Sequence, residues 1–218
     1  MPVRIINHRN LKTACRELAG RDEALGSIFD TYGTPPLWDR PRGFATLIHI
    51  VLEQQVSLAS AKACFDKLTA LVGEVTPSAI LTLNDAEMKV IGFSRQKSAY
   101  ARHLSEAHLN GGLDFDQLHK LPDQEAKLQL MNLKGVGHWT ADIYLLMAML
   151  RPDIMPRGDL ALHIAWQKLT NAENRPGSEE FVSLAERWRP FRSVAARMLW
   201  HFYLSDRQTK RSTTARVI

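Results

Sequence analysis

Apolar residues recur at spacings of three and four along most of this chain, which is the period of an amphipathic helix. The run that begins at Phe44 shows the pattern clearly, with further apolar positions at Leu47, Ile48, Val51 and Leu52. About ten such segments follow one another, and none has the convincing two-residue period of a strand. We therefore expect an all-α fold with two helical lobes.

Turn and cap signals divide the pattern into elements. The proline- and glycine-rich stretch at residues 31–43 predicts a loop, and the apolar run that follows it stops at Gly73. The pair Gln54–Gln55 lies either inside a helix or at a break in it. Thr76 and Asn84 are N-cap signals for two short helices.

Two glycines stand directly in front of a long apolar segment in "LKGVGHWTADIYLLMAML". A helix ending near Leu133, a turn and a helix starting near His138 would form a helix–hairpin–helix. The N–H groups at the start of the second helix attract phosphate, and glycine lets it approach. An ordinary corner between helices explains Gly-x-Gly alone, but the full string favours DNA phosphate. We predict that Gly135, Gly137, His138 and Thr140 bind it.

Composition narrows the classes of function. The net charge of +5 suits an anionic partner such as nucleic acid without establishing one. Two cysteines, Cys15 and Cys64, cannot supply the four thiolates of an iron–sulfur cluster or a Cys-rich zinc site, so we expect buried free thiols. We find no membrane span and no secretory signal, and we expect a cytoplasmic protein that binds no membrane.

The hairpin is followed by "MPRGDLAL", in which Asp159 comes 20 residues after Trp139. Together, "LKGVGHWTADIYL" and "MPRGDLAL" resemble the hairpin and catalytic aspartate of the helix–hairpin–helix DNA glycosylase superfamily. The tryptophan and the spacing point within it to the 3-methyladenine DNA glycosylases. "LEQQVSLASAKA" and "WRPFRSVAARMLW" are similar to two further helices of that family. The resemblance indicates the short form, without an N-terminal β domain.

The resemblance implies a two-lobed helical fold with the active site in the cleft between the lobes. One lobe would comprise residues 40–150 and end in the helix–hairpin–helix, and the other would comprise residues 1–39 together with 151–218. It also implies a monofunctional enzyme that flips alkylated purines, of the 3-methyladenine and 7-methylguanine type, out of double-stranded DNA and hydrolyses the N-glycosidic bond. We expect a monomer, associated with the nucleoid if the source is bacterial.

Asp159 precedes the apolar helix "LALHIAWQKL", where an aspartate commonly acts as the N-cap. The resemblance implies that the same residue is catalytic. The two roles are compatible, because backbone N–H groups that bind a carboxylate favour its charged form. A charged carboxylate stabilises the positive charge that develops on the sugar when a glycosidic bond breaks.

Three aromatic residues are the predicted walls of a base pocket. Trp139 occupies the position at which bifunctional members of the superfamily have a lysine, and it cannot form a Schiff base. Trp200 lies off the main apolar face of its helix, and an indole favours a cationic purine by about 0.5–2 kcal/mol. Tyr144 follows Ile143, which replaces a tyrosine of the longer bacterial relative. Core packing is the alternative for both tryptophans.

Gln55 and Gln54 are the predicted DNA-inserting residues. The resemblance places Gln55 where a side chain fills the gap left by the flipped base, whereas composition alone would make the pair ordinary surface residues. The resemblance also implies a monovalent cation, Na⁺ or K⁺, held by the backbone carbonyls of Met131, Leu133 and Val136. No cofactor is required for the reaction itself.

A non-catalytic helix–hairpin–helix module that binds DNA structure is the alternative function. The hairpin and the positive charge suit both hypotheses. Asp159 and the off-face Trp200 favour the enzyme, because a binding module needs neither. An iron–sulfur glycosylase is excluded by the cysteine count and by Trp139 in place of a lysine.

Overall fold

The computed structural model describes residues 5–214, with side chains described through Arg207. These residues form thirteen α-helices and one 3-10 helix and contain no strand, so the predicted all-α class is confirmed. The α-helices are α1 (Leu11–Arg21), α2 (Glu23–Tyr32), α3 (Phe44–Glu53), α4 (Leu58–Val72), α5 (Pro77–Thr82), α6 (Asp85–Ile91), α7 (Arg95–Leu109), α8 (Phe115–Leu118), α9 (Asp123–Met131), α10 (His138–Met147), α11 (Leu160–Thr170), α12 (Ser178–Ala185) and α13 (Arg192–Thr214), and the 3-10 helix is Glu186–Trp188. Within residues 5–214, no helix has both the length and the apolar character that crossing a membrane requires.

The chain divides into two compact units. The hairpin unit, Arg40–Met149, contains α3 to α10. The terminal unit, Met1–Asp39 with Leu150–Ile218, contains α1, α2, the 3-10 helix and α11 to α13. This division and the predicted lobe boundaries differ in the assignment of one residue, Leu150.

Helix α3 forms the centre of the hairpin unit. Eight of its ten residues are buried, because α4, α7 and α10 contact it on more than one side. The buried Glu53 is paired with Arg40, whose two terminal nitrogens lie 2.7 and 3.1 Å from the carboxylate oxygens. This bidentate geometry offsets part of the cost of removing the carboxylate from water.

The terminal unit is organised around α13, which contacts α1, α2 and α11. Arg197 of α13 is fully buried, and its Nε donates a 2.7 Å hydrogen bond to the Leu37 carbonyl while Nη1 donates to the Ser193 carbonyl at 3.1 Å. Burial lowers the pKa of Arg197 to about 10. The arginine therefore attaches the segment before residue 40 to the main helix of this unit.

Both cysteines are buried and free, as predicted. Burial raises the pKa of Cys15 to about 12 and also raises the pKa of Cys64. Because the thiolate is the reactive form, both side chains act as small apolar groups near neutral pH.

The predicted run from Phe44 to Gly73 is two helices rather than one. The chain turns between α3 and α4 at Gln55, which has a φ of +58°. Helix α4 then starts from its N-cap Ser57, whose hydroxyl accepts the Ser60 N–H at 3.1 Å. Of the two alternatives for the glutamine pair, the break is confirmed.

Helix α2 is absent from the prediction, which expected about ten helices rather than thirteen. It begins at Asp22, whose carboxylate accepts the Leu25 N–H at 3.1 Å. Gly26 lies in its first two turns, and glycine weakens the local preference for a helix. Contacts with α1 and α13 outweigh that preference.

Candidate functional site

A helix–hairpin–helix is formed by α9 and α10. Helix α9 ends at Met131, slightly earlier than predicted, and α10 begins at the predicted His138. The carboxylate of Asp142, a residue that is 1% exposed, lies 2.5 Å from Nζ of Lys127 and joins the two helices. Sequence reasoning missed this ion pair, because Asp142 lies within the apolar run and no spacing rule connects it to Lys127.

The two glycines of the hairpin have different structural roles. Gly135 has a φ of +91°, and a Cβ atom there would overlap the ring of Tyr100. Gly137 has a φ of −94°, and a Cβ atom there would meet nothing within 4 Å. The fold therefore requires glycine at position 135, whereas Gly137 leaves open space in front of α10.

The start of α10 is suited to an anion. Its N-cap Gly137 has no side chain to satisfy the first N–H groups, and the first turn contains no acidic residue. Gly137 and His138 are exposed, which agrees with phosphate contacts at these residues. Thr140 is buried, and its hydroxyl accepts a hydrogen bond from Gln54, so its side chain does not present a phosphate ligand.

The two neighbouring glutamines have different surroundings. Nε2 of Gln54 donates hydrogen bonds to the Gly135 carbonyl and to Oγ1 of Thr140, both at 2.8 Å. Gln55 is exposed in the turn between α3 and α4, and the next residue, Val56, is 48% exposed. Gln55 remains a candidate for insertion into DNA, whereas Gln54 is occupied inside the hairpin unit.

Lys97 of α7 holds the backbone of this turn. Its Nζ donates to the carbonyls of Leu52 at 2.6 Å and of Gln54 at 2.9 Å. These carbonyls belong to the end of α3, where a helix leaves acceptors without partners of its own. Burial lowers the pKa of Lys97. No sequence motif predicted this contact, because the lysine is more than 40 residues away.

Tyr144 does not line a pocket as predicted. Its side chain is fully buried, its hydroxyl accepts the Gly43 N–H at 2.9 Å, and its ring packs against Phe115 and His119. Burial raises the pKa of Tyr144. We correct its role to that of a core residue. Trp139, the second residue of α10, is half-buried.

Asp159 is both the N-cap of α11 and a hydrogen-bond partner of Trp200. Its Oδ1 accepts the Leu162 N–H at 3.1 Å and the indole Nε1–H of Trp200 at 3.2 Å. The N-cap prediction is confirmed, and the structure adds the direct contact with the tryptophan. Both side chains are 8% exposed, so they are nearly buried without being sealed from solvent.

Trp38 contacts Trp200 and was not predicted. The two ring centroids are 6.4 Å apart and the planes meet at 78°, an edge-to-face arrangement. Trp38 has a φ of +49°, which bulky residues rarely adopt, and Arg197 binds the carbonyl of the preceding Leu37. We name Asp159, Trp200 and Trp38 the aspartate cluster. The only sequence signal for Trp38 itself is its place as a tryptophan in a proline-rich loop.

His163 lies one turn after Asp159 on α11 and is 6% exposed. Burial lowers its pKa, and the charge of Asp159 partly opposes that effect. Its ring lies 4.7 Å from that of Phe181, and within residues 5–207 its Nε2 has no hydrogen-bond partner. The imidazole is therefore in its neutral form near pH 7.

Side-chain metal ligands do not cluster in the described part of the chain. Among residues 5–207, no group of three or more His, Cys, Asp or Glu residues is placed to hold a metal ion. The carbonyls named for a monovalent cation lie at the end of α9, for Met131, and in the hairpin turn, for Leu133 and Val136. That of Leu133 accepts the Val136 N–H at 3.1 Å, which uses one of its two lone pairs.

A family model described as "HhH-GPD superfamily base excision DNA repair protein" matches residues 48–190. The chain belongs to the HhH-GPD superfamily. The matched range covers both glutamines, the hairpin and Asp159. In the structure of the HhH-GPD chain, the glutamine turn contacts the hairpin. Asp159 contacts Trp200, which lies beyond the matched range.

Two relatives of this HhH-GPD chain have the same activity in their names. DNA-3-methyladenine glycosylase 1 of Schizosaccharomyces pombe is 26% identical over 84% of this chain and 83% of the relative. A putative DNA-3-methyladenine glycosylase of Bacillus subtilis is 23% identical over 81% of this chain, which spans only 64% of that relative.

Two solved structures share the fold of the HhH-GPD chain. The S. pombe 3-methyladenine DNA glycosylase in complex with abasic DNA has a TM-score of 0.79 and 26% identity, over 86% of this chain and 95% of that one. A DNA-3-methyladenine glycosidase from Bacillus halodurans has a TM-score of 0.73 and 26% identity, over 93% of each chain.

Proposed function

We propose that the chain is a monofunctional DNA glycosylase that flips alkylated purines, such as 3-methyladenine and 7-methylguanine, out of duplex DNA and hydrolyses the N-glycosidic bond. The observation that carries the proposal is Oδ1 of Asp159, held by the Leu162 N–H and the Trp200 indole. This contact joins a carboxylate to an aromatic ring, which are the two groups that the reaction needs. The names of the relatives, and the abasic DNA bound to one of them, support the substrate class.

Hydrolysis requires negative charge beside the sugar. As the bond from C1′ to the base breaks, its electron pair leaves with the base and positive charge develops on the sugar. The carboxylate of Asp159 stabilises that charge. Water then forms the new bond to C1′ and gives up a proton, for which Asp159 is the acceptor. A purine alkylated at N3 or N7 is cationic, so it departs neutral and needs no acid.

Trp200 supplies selectivity for a charged base. Its electron-rich ring attracts a cationic purine by about 0.5–2 kcal/mol more than a neutral one. We assign Trp139 a second contact with the flipped base. A tryptophan cannot form a Schiff base, so the product is an abasic site in an uncut strand. Treatment with borohydride should trap no covalent complex, and a trapped complex would remove this part of the proposal.

In this proposal, the hairpin unit binds the DNA backbone. The start of α10, at Gly137 and His138, binds a backbone phosphate, and Gln55 enters the duplex in place of the flipped base. These contacts are not base-specific, as a repair enzyme requires. We propose that the chain acts as a monomer in the compartment that holds the DNA, and that its affinity falls with rising salt.

We also propose that the end of α9 and the hairpin turn hold a monovalent cation. The carbonyl oxygens of Met131, Leu133 and Val136 are hard neutral donors, which suit Na⁺ or K⁺. Such an ion would fix the turn and place positive charge beside the phosphate. Thermal unfolding in KCl, NaCl and choline chloride at equal ionic strength tests it, because a bound ion raises the melting temperature with its concentration. Equal melting in all three salts would contradict the proposal.

Base release from methylated duplex DNA tests the proposed function, with wild type and Asp159→Asn compared. Asparagine keeps the N-cap and an acceptor for Trp200 but removes the charge. We expect release by the wild type and a loss of at least about a hundredfold in the variant, with DNA binding retained. Binding without release by the wild type would support the non-catalytic module. Equal release by both would leave Asp159 as a helix cap alone.

A further inference from the structure

Gln54 connects the two parts of the hairpin unit that we propose to contact DNA. It is the C-cap of α3, with φ −59° and ψ 125°, so the helix ends there and the turn with the exposed Gln55 begins. Its side chain is directed to the hairpin instead of to solvent. Of these adjacent residues, Gln55 faces solvent, whereas the side chain of Gln54 binds groups inside the hairpin unit.

The amide nitrogen of Gln54 bridges both sides of the proposed phosphate site. Its two acceptors, at 2.8 Å each, are the carbonyl of Gly135 and the hydroxyl of Thr140. The first acceptor comes two residues before Gly137, and the second lies in the first turn of α10. A single NH₂ group can serve both acceptors because it carries two N–H bonds.

The backbone of Gln54 is fixed as well. Its carbonyl accepts from Nζ of Lys97 at 2.9 Å, and the same nitrogen binds the Leu52 carbonyl at 2.6 Å. Gln55 follows with a φ of +58°, a conformation that costs free energy and persists only where its surroundings hold it. The hydrogen bonds of Gln54 supply that restraint from both main chain and side chain.

We propose that Gln54 is a positioning residue that couples the hairpin's hold on phosphate to the insertion of Gln55. The proposal rests on the proposed function in one respect, that Gln55 replaces a flipped base. Gln54 itself touches neither base nor sugar. When the amide is removed, the hairpin still binds phosphate, but the turn no longer stays in place when Gln55 meets the base stack. Binding and base flipping then become separable.

Two variants break the coupling, and one serves as a control. Gln54→Met keeps the side-chain length and removes both donors. Thr140→Val keeps the shape of the second acceptor and removes its oxygen, so it tests the same bridge should Gln54→Met fail to fold in a melting experiment. Gln55→Ala removes the inserting side chain itself. All are made in the full chain.

The primary readout is the fluorescence of 2-aminopurine placed beside the target base, which rises when the stack opens. The wild type should raise it on binding. Gln54→Met should lose most of the rise, as Gln55→Ala does, while its affinity for undamaged duplex stays within about threefold of wild type, because phosphate contacts dominate that affinity. Thr140→Val should show the same change at smaller amplitude.

Base release gives the second readout. From a fully paired methylated duplex, Gln54→Met should release base at least about tenfold more slowly than wild type, because both hydrogen bonds from Nε2 are lost. Opposite an abasic site the methylated purine is already unpaired and easier to extrude, so the deficit should shrink to about threefold or less.

Several results would overturn the coupling. One is a fluorescence rise in Gln54→Met and Thr140→Val as large as in the wild type, and another is no rise with the wild type itself. A third is a deficit in base release by Gln54→Met that is equal on the paired duplex and opposite the abasic site. The fourth is a loss of affinity of Gln54→Met for undamaged DNA that parallels its loss of base release. The proposed function fails separately. If the wild type opens the stack but releases no methylated base, the enzyme proposal is lost, and the fluorescence of the variants still decides the role of Gln54.

Discussion

The hairpin and the aspartate cluster differ in the groups that they would contribute to the proposed function. The hairpin offers backbone groups, namely the N–H groups of the first turn of α10, which follow Gly137. Buried polar contacts such as the Lys127–Asp142 ion pair keep these groups in place. The aspartate cluster offers side chains, a carboxylate and an indole joined by one hydrogen bond. A site made of backbone depends on conformation, whereas a site made of side chains depends on single functional groups. Variants of the first should therefore lose stability, and variants of the second should lose rate.

The largest expected loss of stability comes from Lys127→Met. It removes the ammonium group that is paired with the buried carboxylate of Asp142, and breaking a buried ion pair costs about 3 kcal/mol of the free energy of unfolding. Urea denaturation measures the loss. Lys134→Met is the matched control in the exposed turn, and it should change stability by less than about 0.5 kcal/mol. Equal effects of the two substitutions would contradict the structural role of the pair.

The two hairpin glycines give the next test. Gly135→Ala combines an unfavourable φ with overlap of the Tyr100 ring and should cost about 2 kcal/mol or more of the free energy of unfolding. Gly137→Ala should cost less than about 1 kcal/mol, since its Cβ enters open space. Its methyl group should instead weaken binding to undamaged duplex, measured by fluorescence anisotropy. The opposite order of stabilities would show that the hairpin is not held as described.

A rate effect without a loss of DNA affinity is expected for Trp200→Phe. Phenylalanine keeps a ring but cannot donate to Oδ1 of Asp159, so base release in single turnovers should fall about tenfold, as one hydrogen bond to a charged group is lost. The affinity for undamaged duplex should stay close to wild type. If DNA binding weakened by as much as the rate of base release fell, Trp200 would act through DNA binding, and the contrast between the two regions would be wrong.

The smallest effect concerns pH. Burial lowers the pKa of His163 below its usual 6.5, so the unfolded chain binds this proton more readily than the folded chain. The histidine therefore contributes stability above pH 6.5, and that contribution is lost as the pH falls from 6.5 through the lower folded value. His163→Phe should reduce the difference between urea midpoints at pH 7.5 and 5.5, by less than about 1 kcal/mol in free energy. An unchanged difference would assign the dependence to other groups, such as the half-buried His201.

Local rules predicted the features that depend on local geometry. Asn84 caps α6 in a capping box with Glu87, and Thr76 caps α5, both as predicted. Asp159 caps α11 for the same reason, that a short polar side chain reaches the N–H groups of the first turn. The hairpin prediction rested on the two glycines together with the string around them, "LKGVGHWTADIYL", because Gly-x-Gly alone also suits an ordinary corner between helices.

Features that depend on distant partners were not predictable. Nothing local distinguishes Gln54 from Gln55, because the difference lies in the acceptors at Gly135 and Thr140. Tyr144 carries no sign in its neighbours that its hydroxyl binds Gly43. Likewise, Trp38 joins the aspartate cluster through a contact that spans most of the chain.

The left-handed backbone at Gln55 has a consequence for evolution. With φ at +58°, residues branched at Cβ are strongly disfavoured there, whatever they offer to DNA. The turn therefore restricts which residues can occupy the position that we propose inserts into DNA, independently of any contact with nucleic acid. In a selection from a library randomised at this codon, valine, isoleucine and threonine should be depleted even when only folding is scored, while long unbranched side chains and asparagine survive.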